Sequence, residues 1–402
     1  MKYPRLRRDI QVIPVMVNGQ QMVSFADPLK LSRGLAVERS AIPVIQFLDG
    51  THDLRDIQME MIRHSGGQLI PLSVIEEFIK GLDKSFLLES ESFDARKNAI
   101  REGFLNARER ECSLAGTSYD ADPEALKRYI REVEATLPEL GSEQDTPPAG
   151  LLAPHIDIEV AKTAYVDLYR RIKGMDFTRV IIFGINHQGR EGLYSISEKN
   201  YRTPLGTLQT DTAFVSELKA HVEDGTFAAD DFDHMNEHSI EFQALFLRHY
   251  LGNSFRIVPV LCGGIHEWIE SGRDLLTDDR FVSFVSTVQD LVRADNGKTL
   301  LVAGVDFSHI GLKFGHGAEA GQLIDQALGD DETIISHLST CDAGALFSHA
   351  AATGDRYNVC GLPAMIVFSR LLSGCTGKLL AHETYDEPAT RSAVTYASMF
   401  FT

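Results

Sequence analysis

Cysteine is scarce in this chain, long apolar runs are missing and positive charge is in deficit, and each shortage removes a class of function. The five cysteines, Cys112, Cys262, Cys341, Cys360 and Cys375, are odd in number, scattered and free of any C-x-x-C pair. That usage excludes a disulfide framework, fits reduced thiols in a cytoplasm, and leaves any functional cysteine to act alone. No stretch of 18 or more apolar residues is present, so no membrane-spanning helix is expected. The basic start, from Met1 to Arg8, is followed by neither an apolar h-region nor a small-residue cleavage site, and the expected location is cytoplasmic. Lys and Arg number 39 against 57 Asp and Glu, a net charge of −18. That charge repels a phosphate backbone, no long basic cluster overrides it, and nucleic acid is not an expected partner.

What is present is an ordinary globular mixture, 44% hydrophobic and 24% charged, over 402 residues. That length exceeds what one core usually supports, so a smaller and a larger domain are expected. The first hundred residues begin with two β-type runs, 11–17 and 20–25, around Asn18-Gly19, the strongest short hairpin signal. At Leu48-Asp49-Gly50-Thr51 a turn with Thr51 as N-cap precedes a helical pattern through Leu54, Ile57, Met61 and Ile62, stopped by Gly66-Gly67. A second helical period runs over 71–82 and a charge-rich third over 93–110. This order resembles the small winged-helix-like PqqD family of peptide-binding domains; a helical cap without a ligand is the alternative.

Residues 141–150, polar and punctuated by Pro and Gly, read as a linker or as a loop inside the larger domain. Beyond them, short buried-strand runs at 150–154, 179–184, 256–262 and 298–304 alternate with helical patterns. The expected fold class is therefore α/β, a mixed and largely parallel sheet flanked by helices.

Three of these four strands run directly into titratable residues: His155 and Asp157, then Asn186 and His187, then Asp306, Ser308 and His309. Ligands bind at the carboxyl ends of strands in open α/β sheets, so these side chains are candidates for one crevice. Each histidine taken singly is more often a hydrogen-bonded structural residue. Glu237-His238-Ser239-Ile240-Glu241 opens an apolar helical run and reads either as a general acid/base group or as a capped helix with a solvated first turn. Cys360 precedes the helical run 364–372, where a helix N-terminus favours thiolate and suits a metal ligand or nucleophile.

The order Ala153-Pro154-His155, Gly184-Ile185-Asn186-His187, Tyr201-Arg202-Thr203-Pro204-Leu205-Gly206, Glu237 to Glu241, Asp306-Phe307-Ser308-His309 and Cys360-Gly361 resembles the MEMO family, in its prokaryotic form AmmeMemoRadiSam system protein B. Ala115 to Tyr119 resembles that family's N-terminal turn. The resemblance covers residues 110–402 and leaves 1–109 as a small α+β, PqqD-like domain. It implies a fold like the class III extradiol dioxygenases, with His155, His187 and Cys360 as metal ligands. His238 is the implied acid/base, supported by Glu237, with Asp306 and His309 around the centre. The implied metal is Fe(II) or Cu, with Zn as the alternative. The implied activity is a dioxygenase-like oxidoreductase, against a zinc-dependent hydrolase or a non-catalytic peptide- or phosphopeptide-binding module. Expected partners are a small-molecule or peptide substrate, a radical SAM protein and an AMMECR-type protein. The sequence departs from the family pattern at Ile156-Asp157-Ile158 and His187-Gln188; Asp157 is a candidate carboxylate that would complete a two-histidine, one-carboxylate set.

Overall fold

The computed structural model describes residues 1–27, 29–32, 35–140, 147–189, 192–294 and 298–402. Residues 141–146 of the linker candidate fall outside these. The chain divides into two compact units, Met1–Asn106 and Ala107–Thr402.

In the first unit, β1 (Gln11–Val17) and β2 (Gln20–Ala26) pair antiparallel with Val17 opposite Gln20, and β3 (Ala36–Glu38) pairs with β2. Both turn residues, Asn18 at φ 50° and Gly19 at φ 78°, are left-handed, as the two-residue turn that matches strand twist requires. Helices α1 (Ile42–Gln46), α2 (Leu54–His64), α3 (Leu72–Lys84) and α4 (Glu91–Asn106) follow. Val23, Phe25, Ile57, Ile75, Ile79 and Leu82 form their shared core. The N-cap of α2 is Asp53 rather than Thr51: its carboxylate accepts from Arg55 and Asp56 N–H, and the Asp56 carboxylate accepts from Asp53 N–H in return. Two carboxylates satisfying the first-turn amides outcompete a hydroxyl two residues earlier.

The second unit contains β4 (Glu109–Arg110), α5 (Pro123–Ala135), β5 (Gly150–Ala153), α6 (Ile158–Arg170), β6 (Arg179–Ile185), β7 (Tyr194–Ile196), β8 (Asn200–Tyr201), α7 (Thr212–His221), α8 (His238–Leu251) and β9 (Arg256–Cys262). It continues with α9 (His266–Ser271), α10 (Asp279–Ala294), β10 (Thr299–Gly304), β11 (His309–Gly311), α11 (Ala320–Ser339), α12 (Ala343–Thr353), α13 (Leu362–Leu371), β12 (Gly377–Glu387) and β13 (Ser392–Phe401). An eight-stranded sheet runs β11-β13-β5-β10-β6-β9-β7, with β12 beside β13. Its centre, β5-β10-β6-β9, is parallel and its flanks antiparallel. The α/β expectation of a mixed, largely parallel sheet between helices is therefore met.

Both sheet faces are covered, which is why the central strands read as unbroken apolar runs rather than as alternation. Ile181, Phe183, Val258, Val260 and Leu301 enter a core with α10 and α13. Their neighbours Val180, Ile182, Ile257, Leu300 and Val302 enter another with α6 and α8. Register brings three carboxyl ends level: Gly304 lies opposite Ala153, and Ala303 opposite Phe183. The residues that follow β5, β10 and β6 thus emerge side by side.

Candidate metal centre

His155, His187 and Asp306 sit just beyond those three strand ends. The first turn of α8 closes over them, and two strand glycines permit it. A Cβ on Gly184 would lie 2.5 Å from Ser239 Oγ, and one on Gly304 would lie 2.4 Å from Ser239 O. Close backbone approach, not turn geometry, is the reason for glycine there. Ser239 Oγ accepts from Ile185 N–H at 2.9 Å, and Gln243 Nε2 donates to Pro154 O at 2.9 Å, fastening α8 to β6 and to the loop after β5.

His155 is buried and its ring is fixed. Nδ1 donates to Gly304 O at 3.0 Å, which leaves Nε2 with a lone pair, 3.4 Å from Cys360 Sγ and 3.4 Å from Asp306 Oδ2. Asp306 Oδ1 accepts from the backbone N–H of His155 and Ile156, at 2.9 and 3.1 Å. Glu237, the N-cap of α8, accepts from Ser239 N–H at 2.9 Å. The same carboxylate lies 2.9 Å from His187 Nδ1 and 3.3 Å from His238 Nδ1. The two imidazoles stack at 5.2 Å, with His155 edge-on to both at 5.1 and 5.2 Å. Neither His187 Nε2 nor His238 Nε2 has a hydrogen-bond partner among the described residues.

One ligand atom each from His155, His187 and Cys360 lies within 4.8 Å of the others; His187, Glu237 and His238 form a second such group. The first suits a metal better. Glu237 engages Nδ1 of both rings, the way an outer carboxylate fixes the tautomer of a ligating histidine.

Protonation follows from burial. Burial, then the neighbouring His187, lowers His155 to about 4. Burial, against Glu237, lowers His238 to about 4. Burial works against the Glu237 charge too, yet His187 and His238 hold this carboxyl well below its usual range. His187 is raised, because Glu237 outweighs burial. Burial raises Asp306. Two imidazoles with free lone pairs, a thiol and two carboxylates are a donor set that fits a soft or borderline cation such as Fe, Cu or Zn.

Three readings of the sequence change here, and His309 stays an outer residue. Thiolate is not favoured at Cys360 by the helix start alone: burial, then the Asp306 carboxylate, push the thiol well up, and only a bound cation would reverse that. Asp157 is the N-cap of α6, accepting from Glu159 N–H, and joins neither donor group. The first turn of α8 is not solvated: Glu237 is 3% and Glu241 1% exposed. His309 starts β11, where Nδ1 donates to Phe307 O at 3.0 Å and burial lowers its pKa. It faces Asp306 without joining either donor group.

Sequence reasoning missed what holds Glu241. Arg110 pairs with it in full burial, while Ser113 and Leu114 N–H, Ser113 Oγ and Tyr119 OH also donate to its carboxylate. Arg110 further donates to the carbonyls of His234 and Glu237, at 3.0 and 2.7 Å. A buried acid one turn after Glu237 on an apolar helix signals a buried cation, but no spacing rule points 131 residues back to Arg110.

Comparison with known proteins gives the family. The family described as Memo-like protein matches residues 110–400. The chain belongs to the MEMO family. A MEMO1 family protein of Aquifex aeolicus is 30% identical over 380 residues, 93% of this chain and 94% of the relative. One from Methanopyrus kandleri is 30% identical over 311 residues, 73% of this chain and 99% of the relative. One from Methanothermobacter thermautotrophicus is 30% identical over 301 residues, 71% and 97%. These last two relatives are thus matched over nearly their whole length by about three quarters of this chain.

Proposed function

We propose that this MEMO protein is an iron- or copper-dependent oxidoreductase, with a fold like the class III extradiol dioxygenases, holding its metal on His155, His187 and Cys360. The observation that carries the reading is the convergence of those donor atoms within 4.8 Å from two strand ends and a helix start. Bound iron or copper would supply redox chemistry and Lewis acidity. The chain's own residues do the rest. Glu237 orients the His187 and His238 rings through Nδ1, and Asp306 anchors His155 through its backbone. His238 Nε2, neutral and unpartnered, is the group placed to take a proton from a substrate and return it. Ring cleavage itself does not carry over by analogy, because a thiolate stands where the dioxygenases have a carboxylate. The resemblance further suggests work beside a radical SAM protein and an AMMECR-type protein. The separate likeness of the first unit to PqqD domains suggests peptide capture by its hairpin and helices, which we take as winged-helix-like.

Elemental analysis of protein purified without added metal or chelator tests this. We expect about one iron or copper per chain, lost in the His155→Ala/His187→Ala variant, and oxygen uptake that depends on it. Zinc would instead favour hydrolysis, and absence of metal with no uptake on anaerobic Fe(II) or Cu(I) titration would favour a binding role.

A further inference from the structure

Beside His187 and Cys360 the site opens into a cavity of about 210 Å³. Ile185, Ile265 and Leu362 give it an apolar wall, while Asp355 and His266 supply polar lining. Asp355 belongs to the loop that delivers Cys360. Gly354 closes α12 at φ 63°, and Asp355 and Asn358 then take left-handed φ of 47° and 51°. Asp355 Oδ1 accepts from Val359 N–H at 2.8 Å, which holds the turn next to Cys360. The other carboxylate oxygen takes no hydrogen bond among the described residues.

Half-buried, beside His266 and lining a cavity with an apolar wall, a carboxylate with one oxygen free of hydrogen bonds has an acceptor to spare for a donor. No Lys or Arg lines the cavity among the described residues, so a phosphate or carboxylate would meet Asp355 with no guanidinium or ammonium to receive it. The net charge of −18 opposes an anion further. Size is compatible too: an apolar cavity of about 150 Å³ takes up benzene, so this one has room for a body of one ring with a short substituent.

We propose that this cavity is the substrate subsite of the metal centre and selects a small amine, its apolar body against Ile185, Ile265 and Leu362 and its ammonium on the open oxygen of Asp355. The word substrate rests on the oxidoreductase reading above; the binding does not. Asp355 is the specificity residue: Oδ1 keeps the Cys360 loop in place through Val359 N–H, while the other oxygen receives the ligand.

The test uses the full chain freed of metal by chelation, with benzylamine, benzyl alcohol and benzoate titrated by saturation-transfer NMR. Benzylamine should bind most tightly and benzoate least. Asp355→Asn should weaken benzylamine about tenfold or more, the scale of a charged hydrogen bond, and shift benzyl alcohol less than about twofold. Asparagine suits this test because it tolerates left-handed backbone and still accepts from Val359 N–H. Benzoate binding as tightly as benzylamine, or benzylamine indifferent to Asp355→Asn, overturns the proposal. Should that variant disturb the loop, His266→Trp narrows the cavity from an exposed lining position; benzylamine affinity unchanged there also overturns it. Metal content measured on the same wild-type preparation before chelation separates the two readings. Amine selectivity in a chain that retains no metal keeps the subsite and removes the oxidoreductase, and the converse result does the reverse.

Discussion

Arg110 and Glu241 form a fully buried ion pair whose remaining polar atoms are spent on Ser113, Leu114, Tyr119, His234 and Glu237. Removing one member of such a pair strands the other charge without water. Glu241→Ala should therefore cost about 3 to 5 kcal/mol in chemical denaturation, and a loss under about 1 kcal/mol would mean that Arg110 finds another acceptor. His234 is the matching case for pH. It is buried with Nδ1 2.7 Å from the Tyr201 hydroxyl, and burial lowers it to about 4 from 6.5. A folded pKa below the unfolded one means that the unfolded chain takes up the proton first as pH falls. Its contribution to stability is complete above pH 6.5 and is lost as pH falls toward 4. His234→Gln should lessen the drop in stability between pH 7 and pH 5 by about 1 kcal/mol or more; equal drops in variant and wild type would remove His234 from the acid response.

At the scale of elements, the centre depends on how closely α8 approaches β6 and β10. Gly304→Ala would set a Cβ 2.4 Å from Ser239 O, forcing the helix off the strand end that carries the His155 carbonyl partner. We expect a loss of roughly 1 to 3 kcal/mol together with reduced metal content. Gly329→Ala is the control, an exposed position inside α11 with nothing within 4 Å of the added Cβ; it should stabilise by about 0.5 to 1 kcal/mol. Thermal unfolding of the two variants checks both signs, and a Gly304→Ala protein as stable as wild type would show that the approach is looser than described. The elements themselves were largely legible. The strand runs ending at Ala153, Ile185, Cys262 and Gly304 stand out because strands buried on both faces carry unbroken apolar runs. One cap was read less well: around Thr51 several carboxylates compete for neighbouring amides, and local hydrogen-bond geometry decides among them.

For the whole molecule, the match to archaeal relatives over about three quarters of this chain and the division at Asn106 point the same way. Residues 107–402 expressed alone should fold cooperatively and bind metal with the stoichiometry of the full chain, by elemental analysis and thermal unfolding. An insoluble or metal-free product would mean that the first unit is required to complete the second. No helix among the described residues is long and apolar enough to cross a membrane. The sequence by itself determined the hairpin at Asn18-Gly19, the α/β class, the MEMO family and the set of side chains worth watching, because apolar periodicity, turn chemistry and ordered motifs are local signals. Only the tertiary structure decided that Glu237 serves two imidazoles, that Arg110 neutralises Glu241, that Asp157 caps a helix, and that Asp355 opens onto the cavity beside Cys360. Those facts depend on strand register and on how closely α8 and the Cys360 loop approach the sheet, distances that no spacing along the chain encodes.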